Sequence, residues 1–155
     1  MSGFGKGWGE WNAVDVMLVN SYLCVRVYGL RKVGATGYHC VAVYDWRKTA
    51  LLFSAQASQQ PVLDCTWTGI GTFVTVGVNH CHFWSQDGPR AYRRQRGLFG
   101  KKAQPQPLLC AKAFGSVLLT GCSSGHLAIW EGRNCIRSIK AHSGAVTALH
   151  VLGAR

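Results

Sequence analysis

Val74-Thr-Val-Gly-Val-Asn-His-Cys-His-Phe-Trp84 decides how this chain is read. It is a short apolar strand, a Gly-bearing turn, and a second strand that closes on Trp. Leu119-Thr-Gly-Cys-Ser-Ser-Gly-His-Leu-Ala-Ile-Trp130 repeats the pattern, and Val33-Gly-Ala-Thr-Gly-Tyr-His-Cys-Val-Ala-Val-Tyr44 is a looser copy. The closing aromatics Tyr44, Trp84 and Trp130 stand 40 and 46 residues apart.

That interval matches one propeller blade, a four-stranded sheet that buries its faces only against its neighbours. The chain is expected to be all-β: a partial propeller of about three four-stranded antiparallel blades, not closed. Blades are expected at about 13–55, 60–97 and 107–139, with a further one opening at 145–151. A seven-bladed ring needs about 300 residues at roughly 40–45 per blade, against 155 here. The expectation is therefore a fragment, or a chain completed by association through its unpaired sheet edge. No apolar run of helical period exceeds about ten residues, so helix should be scarce.

Working outward, residues 1–12 are Gly-rich, carry no period and are expected to be mobile. Two β-rich runs, 14–19 and 22–28, flank Asn20-Ser21 and read as a hairpin. Asp15, Asn20 and Arg26 interrupt that region, so it is too polar to span a bilayer, and no membrane role is expected. Seven cysteines without a Cys-x-x-Cys pair suggest reduced thiols in the cytosol, several of them acting as small buried hydrophobes.

Residues 86–107 break the rhythm. Gly, Pro and like charges there predict an exposed insertion in place of a tidy outer strand. Arg90, Arg93, Arg94, Arg96, Lys101 and Lys102 against Asp87 give this stretch a net charge of +5, within a chain of +11. Such an excess selects anionic partners and says nothing of fold. An acidic protein surface is the first reading and a solvated loop without a partner is the bland one. RNA is the less favoured third, with Tyr92 and Phe99 offering rings to bases.

Two constellations invite chemistry and are set aside. Gly121-Cys-Ser-Ser-Gly125 fits a nucleophile elbow, and Glu131 and His142 follow in hydrolase order. An elbow needs a helix after it, however, and His126-Leu-Ala-Ile-Trp130 reads as a strand. His80-Cys81-His82 resembles a zinc ligand set, but strand alternation puts Cys81 opposite the two imidazoles. No catalytic residue, metal or cofactor is assigned.

The aromatics Tyr44, Trp84 and Trp130 are followed by Asp45, Ser85 and Glu131, a worn form of the Trp-Asp dipeptide that names the WD repeats. Taken with Val33 to Lys48, Gly97-Leu-Phe-Gly-Lys-Lys102 and Lys140-Ala-His-Ser-Gly-Ala-Val146, the ordered set resembles the echinoderm microtubule-associated protein-like family over about residues 33–151. The resemblance implies tandem β-propellers that bind tubulin or microtubules, no enzymatic activity, and a cytoplasmic, cytoskeletal location. It also implies repeat-structural roles for Tyr44, Asp45, Trp84, Trp130 and His142, the last tying outer strands toward the centre.

Overall fold

A computed structural model of the chain describes residues 16–19, 23–30 and 38–152. The expected mobile segment 1–12 lies outside them. Among the described residues, twelve strands form three four-stranded antiparallel sheets, each a simple meander in chain order. The first holds β1 (Val16–Val19), β2 (Leu23–Leu30), β3 (Tyr38–Asp45) and β4 (Ala50–Ser58). The second holds β5 (Val62–Gly69), β6 (Thr72–Gly77), β7 (His80–Gln86) and β8 (Tyr92–Arg96). The third holds β9 (Leu108–Phe114), β10 (Val117–Cys122), β11 (His126–Glu131) and β12 (Asn134–Lys140). This is an open, partial propeller, and no sheet closes on itself.

Strand alternation builds the stack. Phe73 and Trp84 of the second sheet join Val25, Val41, Val43 and Cys65 in one core, against the first sheet. Val74, Val76 and Cys81 turn the other way, into a core with Leu108, Leu118, Ala128 and Trp130 of the third. The middle sheet is therefore buried on both faces, which is why its strands read as nearly continuous apolar runs. Each fully buried Trp or Phe contributes on the order of 2–3 kcal/mol.

Trp84 and Trp130 occupy equivalent places. Trp84 Nε1 donates to Thr75 Oγ1 at 3.0 Å, and Trp130 Nε1 donates to Thr120 Oγ1 at 3.0 Å. Each bond links the third strand of a sheet back to its second, satisfying an indole N–H that burial would otherwise orphan. Turn chemistry follows the sequence as well. Asp45 Oδ1 accepts from Arg47 N and Lys48 N, both at 3.1 Å, and so closes the β3–β4 turn. Gly125 adopts φ +83°, and a side chain there would run into the carbonyls of His142 and Gly144.

Two expectations about the chain's course change. Residues 86–107 do not replace the outer strand, because Tyr92-Arg-Arg-Gln-Arg96 forms it, pairing with β7 from His82↔Arg96 to Gln86↔Tyr92. Its charged side chains are tolerated because an outer strand keeps one flank in water. Segment 145–151, expected to open a further blade, carries no ladder among the described residues. Val146 is nevertheless buried, and its N–H donates to Cys122 O at 3.1 Å.

The link from β8 to β9 is a strap. Gly97 N donates to Cys81 O at 2.7 Å, Leu98 N to Arg133 O at 2.8 Å, and Cys135 N to Leu98 O at 2.9 Å. Residues 97–99 therefore bond first to the second sheet and then to the outer strand of the third. All seven cysteines are buried. Burial raises the Cys65 thiol to about 12, helped by the Asp64 carboxylate, and the Cys122 thiol to about 11.

Candidate basic interaction surface

The six basic side chains singled out from the sequence are all exposed, but the fold distributes them over three places. Arg90 and Arg93 lie at the β7–β8 turn, where Arg93 Nη2 pairs with Asp87 Oδ2 at 2.8 Å. This exposed pair is worth under about 1 kcal/mol, and it offsets half of the local positive charge. Lys101 and Lys102 border a cleft of about 530 Å³ beside Ser123, Ser124 and His126 of the third sheet. Arg94 and Arg96 border another, of about 500 Å³, between the first and second sheets.

Arg94 also has a structural task that the sequence did not reveal. Its Nη1 donates to Gln56 O at 3.2 Å and Ala57 O at 2.9 Å, and its guanidinium sits 5.8 Å from the Trp84 ring centroid. Ala57 is the extra residue of a β-bulge in β4, where the partners of His39 and Cys40 jump from Ser58 to Gln56. Such a bulge interrupts the ladder and leaves carbonyls for a side chain from the next sheet. Arg94 is thus a clasp between the outer strands of two blades.

His80 and His82 lie beneath the same cleft. Their rings stack with centroids 4.9 Å apart and planes 24° from parallel. His80 Nδ1 lies 3.1 Å from Val78 O, and since a carbonyl only accepts, Nδ1 carries the hydrogen of that bond. Burial lowers the pKa of His80, and the nearby His39, Arg94 and Arg96 add to the effect. His82 falls to about 4, chiefly by burial and then through His80, Arg94 and Arg96. Both rings are neutral at pH 7. Cys81 points the other way, into the core that holds Trp130.

Among the repeat residues, Trp84 and Trp130 are core, Tyr44 is half-buried on β3, and Asp45 closes its turn. His142 is exposed, and it reaches the third sheet through its main chain, N–H to Gly125 O at 3.0 Å. The residues after Gly125 form β11, so Ser123 lies on a hairpin turn and not on a strand-to-helix elbow. Tyr92 packs 5.2 Å from Phe53 and 5.5 Å from Phe73, and Phe99 is buried against Trp130. Neither ring is presented for stacking on a base. Sequence reading missed the strap and the Arg94 clasp. The i, i+2 pairs His80/His82 and Arg94/Arg96 were the available signal for the cleft.

No family model matches the chain. Among curated proteins it is 36% identical over 120 residues to echinoderm microtubule-associated protein-like 2 of Rattus norvegicus, covering 74% of this chain and 18% of that protein. It is 31% identical over 129 residues to the 77 kDa echinoderm microtubule-associated protein of Strongylocentrotus purpuratus, covering 79% and 19%. It is 32% identical over 120 residues to human echinoderm microtubule-associated protein-like 1, covering 74% and 15%. The chain thus spans less than a fifth of the length of each. In fold, the computationally designed Ika8 protein superposes with TM-score 0.65 at 15% identity, over 90% of this chain and 40% of that one. A chain of the mitotic checkpoint complex superposes with TM-score 0.56, also at 15% identity, over 78% and 35%.

Proposed function

Because the chain belongs to the echinoderm microtubule-associated protein-like family, we propose that it is a non-catalytic, microtubule-associated interaction module that binds acidic protein surfaces such as tubulin tails. The observation that carries this reading is charge without opposition: Arg94, Arg96, Lys101 and Lys102 line two open clefts that, among the described residues, hold no Asp or Glu. Mobile acidic tails are drawn to such clefts by screened Coulomb attraction, which is strong at low salt and weak above about 0.15 M. A cytoskeletal location follows from that partner. Self-association through an unpaired sheet edge is a secondary expectation of the open architecture.

RNA binding is the weaker reading, since Tyr92 and Phe99, the two rings within the basic stretch, are turned inward and offer no face for base stacking there. Co-sedimentation with microtubules, before and after proteolytic removal of the acidic tails, tests the proposal with RNA as competitor. Pelleting that is lost with the tails supports it. Pelleting that ignores the tails, or that RNA abolishes at equal charge, counts against it.

A further inference from the structure

We propose that the cleft between the first and second sheets is a proton-coupled seat for the carboxylate of an acidic side chain, with Arg96 as the primary contact and His80 and His82 as the proton acceptors. The proposal rests on the reading above that the partner is an acidic protein, and it names the place and the chemistry.

The cleft has three layers. At its mouth, Arg96 is exposed and stands directly across the ladder from His82. Beside it, Arg94 is held by two carbonyls and the Trp84 ring, so its charge is fixed in position before any ligand arrives. A guanidinium has five N–H groups, and Arg94 places Nη1 on those carbonyls, which leaves Nε and Nη2 for other acceptors. Gln59, Gln60 and Asn79 complete a rim of neutral amides. Among the described residues no carboxylate lines the cleft, and its roughly 500 Å³ accommodates one or two Glu side chains.

Beneath lies the unusual part. His80 is only 5% exposed. Its Nδ1–H is committed to Val78 O, and its Nε2 is buried without a partner. His82 Nδ1 is likewise buried without a partner. With Nδ1–H on Val78 O, the orphaned Nε2 of His80 is a bare lone pair, and the neutral His82 ring also keeps one unprotonated nitrogen, so each ring can take one proton. The groups facing them are His39, Arg94 and Arg96 together with each other, all basic, and these oppose protonation. Burial of the rings opposes protonation most, and a carboxylate seated against Arg96 and Arg94 offsets the repulsion that those two charges add. Linkage then requires proton uptake on binding, and affinity that rises as pH falls. Phosphate would share the attraction, but an RNA chain finds no exposed ring here on which to stack.

The test is fluorescence anisotropy of a labelled oligoglutamate peptide of roughly eight residues with the full chain, at low salt, from pH 7.5 to 5.0. Circular dichroism of each variant checks the fold. Expected are about threefold to tenfold tighter binding across that range, and loss of about fivefold or more in R96Q at pH 6. The control R137Q, with the same charge change at an exposed arginine that lines neither cleft, should lose less than about twofold. The pH rise should shrink in H82Q and vanish in the double variant H80Q/H82Q.

Equal losses in R96Q and R137Q overturn the seat, as does a pH rise that survives the double variant H80Q/H82Q. Tighter binding of an oligonucleotide matched in charge, competing at the same place, also overturns it. Microtubule pelleting retained by R96Q alongside unchanged peptide binding sinks the seat and leaves the module reading standing. Peptide binding with the expected pH rise, but no pelleting of the unmodified protein, does the reverse.

Discussion

Phe99 meets Trp130 edge-on, with ring centroids 5.0 Å apart and planes at 76°, although the two residues lie on different blades' worth of chain. Phe99 belongs to the strap that leaves β8, and Trp130 to the centre of the third sheet. The contact converts two adjacent sheets into one packed unit, and it does so through a segment without strand character of its own beyond the Leu98↔Asn134 bridge.

Truncating that contact should therefore be costly. Phe99→Ala is expected to lose about 3–5 kcal/mol, read as a lower midpoint in urea denaturation. Gly97→Ala should cost about 1–3 kcal/mol by overpacking, because an added Cβ lies 3.0 Å from Trp130, 3.1 Å from Phe83 and 3.2 Å from Cys81.

The paired indole bonds give a test of repeat equivalence. Thr75→Val and Thr120→Val each keep the side-chain volume and orphan a buried Trp N–H. Each should destabilise by about 1–3 kcal/mol, and the two values should agree within about 1 kcal/mol if the sheets are equivalent. Denaturation of the two single variants and the double variant measures this.

Arg94 separates structure from charge. Arg94→Lys keeps the charge but cannot reproduce a fork that reaches both Gln56 O and Ala57 O. A loss of about 1–2 kcal/mol is expected in Arg94→Lys, with no comparable loss in Arg96→Lys. Thermal melts of the two variants should differ accordingly.

Stability should fall on mild acidification. His39, His80 and His82 all have pKa values below 6.5 in the fold, His82 at about 4, with burial as the first cause in each. Between pH 6.5 and 4 the unfolded chain binds more protons than the folded one, so stability rises with pH across that window and levels off above it. The expected decrease from pH 7 to 4.5 is on the order of 1–2 kcal/mol, after discounting for solvent around the half-buried His39 and His82 rings. Substituting His82 with Gln should flatten the profile, as followed by melting temperature against pH.

The cysteines should be slow. With Cys65 held near 12 and Cys122 near 11 by burial, little thiolate exists at pH 8, and reaction requires local opening. A thiol reagent should titrate all seven only after denaturation. Prompt reaction of several in the native protein would mean that the two cores open readily.

What the sequence determined by itself was local and periodic. Alternating apolar residues, Gly-bearing turns and an aromatic every 40 to 46 residues specify β-meanders that cannot bury their faces alone. Trp84 and Trp130 could be assigned to one repeat position, and Asp45 to a turn, because those roles depend only on neighbours a few residues away. What waited for the tertiary structure was everything that spans sheets. The basic stretch 92–96 looked like a loop because its charges outweigh its β-propensity, yet pairing with β7 supplies the backbone bonds that make it a strand. Arg94 gained its acceptors from a bulge 37 residues earlier, and His80 and His82 gained their burial from the sheet before them. Period records which residues share a face. Which face meets which charge is set by contacts between distant segments, and only the folded chain brings those together.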